Sequence, residues 1–159
     1  MKLSRTFALF YSELKRRNYM MRIAIASDHR GFALKTYLQA HMSDITWHDS
    51  GTHSSERVDY PVFVEPSVSR LLREEVEACI LICGSGAGMS MAANRYKGVY
   101  AAVAWNTSVA RAVKEDDNCN ILVLPADFVQ TDEAIKIVKA FLEGSFKGGR
   151  YKARLNMID

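Results

Sequence analysis

From Met21 onward the chain alternates between two hydrophobic periods, and that alternation limits its fold more than any other feature. Five short β-branched or apolar runs, "RIAIAS", "ITWHDS", "ACILIC", "VYAAVA" and "NILVLP", take turns with five longer stretches of helical spacing: "GFALKTYLQAHM", "PVFVEPSVSRLLREEV", "AGMSMAANRY", "SVARAVKED" and "DEAIKIVKAFLEG". A strand followed by a helix and another strand predicts parallel pairing, with the crossover helices covering the sheet. The expected fold is α/β in three layers, a five-stranded parallel sheet with helices on both faces and an extra C-terminal helical tail. The near-continuous apolar runs Ile80 to Cys83 and Ile121 to Leu124 suit central strands buried on both sides.

At 159 residues and 48% hydrophobic composition, the chain fits one globular domain, here 21–159, with a core of ordinary size. Its 21 basic residues are interspersed with 18 acidic ones and form no stripe, so nucleic acid is not an expected partner. Cys79, Cys83 and Cys119 form no CxxC pair, and His29, His41, His48 and His53 form no HExxH-type cluster; no metal is expected, and reduced thiols suggest a cytoplasmic protein. No apolar run approaches the roughly 20 residues of a membrane helix, so no membrane partner is expected. Residues 1–20 read as a basic arm or transit-like leader, or as an extension ahead of a start at Met20 or Met21; the apolar patch Phe7 to Tyr11 is too brief for a secretory core.

In parallel sheets ligands collect beyond the C-terminal strand ends, near the switch in strand order. That rule brings together Asp28 and His29 after the first strand, Cys83 with Gly84, Gly86 and Gly88 after the third, Trp105 and Asn106 after the fourth, and Asp127 after the fifth. The loop Ser50 to Pro61 is long and polar enough to fold over that edge. The glycine run reads G-S-G-A-G-M, with Met89 where a dinucleotide fingerprint needs its third glycine, so no nucleotide cofactor is expected. Its backbone N–H groups, from Gly84 through Ser85, Gly86 and Ala87 to Gly88, can instead favour a phosphate or an oxyanion. A thiol in the same field can act as a base, although a buried cysteine also simply fills space, the role expected of Cys79 and Cys119. In the tail, Arg150 and Arg154 stand four apart, so a helix would put both guanidiniums on one face, where they match a phosphate. These parts describe a pocket for a small phosphorylated polyol.

Four stretches in order, "IASDHRGFALK", "DSGTHSSERVDYP", "ILICGSGAGMSMAANR" and "GGRYKAR", resemble the signatures of the type B ribose-5-phosphate isomerases, a family that extends to galactose-6-phosphate and allose-6-phosphate isomerases. The resemblance runs from Met21 to Ile158. It implies a Rossmann-like fold, a homodimer or homotetramer with active sites shared between subunits, and interconversion of ribose 5-phosphate and ribulose 5-phosphate in pentose phosphate metabolism, with neither metal nor cofactor. It also implies that Cys83 moves the proton between C2 and C1, with Ser85 and the loop Gly84 to Gly88 around the enediolate. By the same resemblance Asp28, His29 and Tyr60 bind the sugar, and Arg150 and Arg154 bind the phosphate from a partner chain.

Two positions depart from that family. Asp116 and Asp117 stand where many members have His-Asn, and the expectation is that Asp116 takes over ring opening, with Asp117 beside the substrate. Asp127 stands where many members offer phosphate a basic residue, so it either points away or alters substrate preference. A six-carbon sugar phosphate is therefore the competing substrate, and a module that binds sugar phosphate without converting it is the competing function.

Overall fold

A computed structural model describes residues 19–158. The basic arm therefore lies outside the described residues except for Tyr19 and Met20, where the Tyr19 hydroxyl donates to Glu77. The elements run β1 (Met21–Ser27), α1 (Phe32–His41), β2 (Ile45–Asp49), α2 (Pro61–Leu72), β3 (Ala78–Cys83), α3 (Ala87–Ala93), β4 (Ala101–Val103), α4 (Thr107–Glu115), β5 (Ile121–Pro125), α5 (Thr131–Glu143) and α6 (Arg150–Leu155). All strand pairs are parallel, in the order β2-β1-β3-β5-β4. The α/β sheet with its C-terminal helix is the expected one.

Alternation along the strands sorts the core into two layers. Ile23, Ile25, Ile80, Ile82, Leu122 and Leu124 face Leu34 and Leu38 of α1 and Ile137 and Phe141 of α5. Ala24, Ala26, Leu81, Cys83 and Val123 face Val64 and Val68 of α2 and Met89 of α3. Every residue of β3 and β5 is buried, as strands covered on both faces must be.

Three elements are shorter than their patterns. At the start of β4, side-chain amides supply the partners: Tyr100 N donates to Asn120 Oδ1 at 2.9 Å, and Ala101 N to Asn94 Oδ1 at 2.8 Å. The strand is left with three residues where the sequence offered Val99 to Ala104. The helix α2 stops at Leu72 and not at Val76, because Glu74 turns left-handed at φ 59° and the N–H groups of Glu74 and Glu75 close back on Leu71 O and Arg70 O. This is the bond pattern of a Schellman C-terminus. In α3, Asn94 caps the helix before Tyr96.

The order in which the chain adds strands switches sides between β1 and β3. The connection from β1 leads outward to β2, and that from β3 leads the other way to β4. Their C-terminal ends therefore flank an open crevice. Among the described residues, no helix is long and apolar enough to cross a membrane.

Candidate active site

The crevice is built on the ends of β1 and β3. Asp28 N extends the ladder to Ile82 O at 3.1 Å, and its buried carboxylate accepts both Arg30 N and Gly31 N at 2.9 Å, which turns the chain into α1. Gly31 lets this turn lie against β3: a Cβ there would stand 2.6 Å from Ile82 O. His29 is tied to the loop after β2. Its Nδ1 lies 3.2 Å from Val58 O and 3.3 Å from Val58 N, contacts that require opposite tautomers, so one serves at a time.

Cys83 ends β3 with 5% of its surface exposed. Behind it the exit of β5 is bonded to the same turn, Ala126 N to Cys83 O at 2.9 Å and Asp127 N to Gly84 O at 3.0 Å. Gly86 takes a left-handed φ of 78° at the start of α3, a conformation natural to glycine, while Ser85 stands exposed and accepts Ala87 N at 3.3 Å. Gly88 faces Tyr60; a Cβ there would come within 2.6 Å of the phenol ring. One chain thus gathers Asp28, His29, Tyr60, Cys83 and the segment Gly84 to Gly88 at one edge. Burial pushes the thiols of Cys79 and Cys119 up to about 12, so both stay protonated at neutral pH.

The remaining expected residues lie at the opposite edge. The helix α4 starts beyond β4, where Asn106 caps it by accepting Val109 N at 2.8 Å, and it delivers Asp116 and Asp117 to the N-terminal end of β5. Asp116 Oδ1 accepts Lys147 Nζ at 2.6 Å. Asp117 lines a cleft of about 650 Å³ with Arg95, Tyr96, Leu155 and Ile158. Arg150 and Arg154 are exposed on α6, their guanidinium carbons 5.0 and 5.8 Å from the Tyr151 ring centre. Their spacing and helical face are as expected. Within one chain, the length of the sheet separates them from Cys83.

Two residues at or behind the crevice escape the sequence reading. Arg30 pairs with Asp127 across Gly84. Lys35, 1% exposed, sends its ammonium to Asp49 at 2.5 and 2.7 Å and to Thr52 O at 2.7 Å. Its position between Leu34 and Leu38 was the available signal, a lysine on the buried face of α1. The bond to Thr52 O fixes the start of the loop that carries Val58 and Tyr60. Burial alone would raise the Asp49 pKa, but the Lys35 ammonium and the Gly51 N–H outweigh it and hold the carboxyl below its usual value. Such a group stabilises the fold fully above the unfolded value of about 3.9, and the gain disappears as pH falls through the lower folded value. Lys35→Met is expected to cost about 3 kcal/mol at neutral pH. In melting curves from pH 6 downward, the variant should also lose the part of the acid transition due to Asp49. An unchanged melting temperature at pH 7 would contradict this account.

Among the described residues no three His, Cys, Asp or Glu side chains converge as a metal set. The family model for ribose/galactose isomerase matches residues 23–158. Ribose-5-phosphate isomerase B of Escherichia coli K12 is 36% identical over 141 residues, covering 87% of this chain and 95% of the relative. The crystal structure of a ribose 5-phosphate isomerase from Thermotoga maritima superposes with a TM-score of 0.85 at 42% identity, over 87% of this chain and 97% of that one. Ribose-5-phosphate isomerase B from Mycoplasma genitalium, solved with bound ribulose-5-phosphate, gives a TM-score of 0.81 at 38% identity, over 86% and 93%.

Proposed function

The chain belongs to the ribose/galactose isomerase family, a family of aldose–ketose isomerases, and from that premise we propose that it interconverts D-ribose 5-phosphate and D-ribulose 5-phosphate with Cys83 as the base. The observation that carries this reading is the thiol at the β1/β3 crevice, beside the turn Gly84 to Gly88 and in the company of Asp28, His29 and Tyr60. As a thiolate, Cys83 takes the proton from C2 of the open-chain aldose. The C–H electron pair becomes the C1–C2 double bond and the carbonyl pair moves to O1, giving an enediolate. Return of the proton from the Cys83 thiol to C1, with the O2 proton passing to O1 as the C2=O bond forms, completes the ketose without net oxidation and restores the thiolate. Negative charge on oxygen is the feature of the transition state that backbone donors stabilise. The Ser85 hydroxyl accepts Ala87 N and keeps its own hydrogen to offer. Asp28 has one carboxylate oxygen committed to the turn, which leaves Oδ2 for a sugar hydroxyl beside His29 and Tyr60.

In this reading Arg150 and Arg154 clamp the phosphate, Asp116 serves ring opening and Asp117 binds the substrate beside it, all from a partner subunit of a homodimer or homotetramer. Two observations support a shared site: these residues lie a sheet's length from Cys83, and large apolar side chains are exposed toward both edges. Trp105 and Phe128 follow β4 and β5 at 56% and 72% exposure, while Met157 and Ile158 follow α6 at 84% and 75%. Any ring-opening role requires Asp116 to exchange its bond with Lys147 for one to the sugar, and an Asp116→Asn variant with unchanged turnover would remove it from the mechanism. The setting is the cytoplasm and pentose phosphate metabolism.

The test is steady-state isomerisation of ribose 5-phosphate in chelator without added nucleotide, with allose 6-phosphate and galactose 6-phosphate alongside. The pentose is expected to give the highest kcat/KM. Preference for a hexose would transfer the assignment within the family, and binding without conversion of any of the three would leave only a sugar-phosphate-binding module.

A further inference from the structure

Arg30 and Asp127 form an ion pair that straddles Gly84, the residue next to Cys83. A Cβ on Gly84 would stand 2.8 Å from both Arg30 Nε and Asp127 Oδ2, so the pair occupies the space a side chain would take. It joins the exit of β1 to the exit of β5 across the exit of β3. Asp127 is placed by its own backbone bond to Gly84 O.

Such a pair does little for stability. The two side chains are 58% and 31% exposed, and an ion pair in that setting contributes at most about 1 kcal/mol. Its effect on the crevice is larger. Without Arg30, the nearby carboxylates of Asp28 and Asp127 would meet an anionic substrate with like charge. With it, Asp127 is neutralised and holds the guanidinium through Nη2. A guanidinium has five N–H donors, and this contact leaves most of them unused.

We propose that Arg30 is a substrate-binding residue for the phosphate group, a third guanidinium supplied by the chain that carries the thiol, and that Asp127 is its positioning residue. The proposal rests on the sugar-phosphate reading above. Arg30 meets the dianion from the Cys83 side, facing the two guanidiniums contributed by the partner, and the carboxylate that looks unfavourable beside a phosphate serves to aim it.

The test compares wild type with Arg30→Gln and with the double variant Arg30→Gln, Asp127→Asn. The double variant retains a hydrogen-bonded tie between the two loops and removes both charges. The readouts are KM and kcat for ribose 5-phosphate, the inhibition constant of ribitol 5-phosphate, which has no carbonyl to isomerise, and the melting temperature. Both variants are expected to raise KM and the inhibition constant by about tenfold or more, the loss of one charge-assisted contact, while kcat changes far less. Arg30→Lys, which keeps the charge but not the fork, should fall in between.

Wild-type KM and inhibition in the double variant would overturn the proposal and leave the pair as a tie between loops. If wild type converts no sugar phosphate yet binds ribitol 5-phosphate in an Arg30-dependent way, the isomerase reading fails and Arg30 keeps its role. If wild type isomerises normally and Arg30→Gln matches it, the reverse holds.

Discussion

Cys83→Ala is expected to reduce turnover of ribose 5-phosphate by about a thousandfold, within the range that a positioned proton-transfer group contributes. Three free thiols are candidates for the base. Cys79 donates to Ser67 O inside the sheet layer and, like Cys119, is pushed up to about 12 by burial, so neither can replace the missing base. Cys83 alone ends a strand at the crevice. Removing one sulfur from a well-packed position costs about 1 kcal/mol, too little to unfold an ordinary domain. The variant should therefore melt cooperatively and still bind ribitol 5-phosphate. Activity above a tenth of wild type in a folded Cys83→Ala protein would remove the thiol from the mechanism.

The second large effect is recovery, not loss. A Cys83→Ala chain lacks the base, and an Arg150→Ala, Arg154→Ala chain lacks the phosphate clamp, so each alone should be nearly inactive. In a dimer that builds each site from both chains, a mixed pair contains one site with neither lesion and one with both. Random pairing of equal amounts gives half mixed dimers, and hence about a quarter of wild-type specific activity. Co-expression of two differently tagged chains followed by tandem purification would enrich the mixed dimer and bring activity to about half. A mixture as inactive as its components would mean that the two edges belong to separate sites. The geometry behind this prediction is the course of α4, which carries Asp116 and Asp117 from the crevice edge to the far one, where α6 also presents its arginines.

The sheet was legible because β3 and β5 are buried on both faces and their sequences are uninterrupted apolar runs, a pattern with few alternatives at that length. Element ends were less legible. The start of β4 depends on Asn94 and Asn120 replacing ladder bonds, and the end of α2 depends on a left-handed glutamate; periodicity encodes neither. The crevice residues could be listed because strand ends after β1 and β3 are predictable places. What could not be read was which distant side chains meet there. Asp127, considered alone, is a carboxylate next to an expected phosphate site. Its meaning changes once Arg30, remote in sequence, is found paired with it over Gly84. Lys35 has the same character, since its partners Asp49 and Thr52 come from another strand and loop.

The loop between β2 and α2 is held at two points, and this determines how it can move. At one end Thr52 accepts the buried Lys35 ammonium through its carbonyl and donates N–H to Ser27 O, so freeing it would strand a charge in the core. At the other end Val58 is bonded to His29. Between them, residues 53–57 are all exposed and are secured by long contacts of 3.5 and 3.3 Å from Ser54 N and Glu56 N to neighbouring hydroxyls. The loop is thus a short exposed arch between two held feet, and one foot rests on His29, the residue proposed to bind the sugar. In the proposed site Val58 holds His29 by Nδ1 and leaves Nε2 for a sugar hydroxyl, so the foot of the arch sets the orientation in which the ring would meet a substrate.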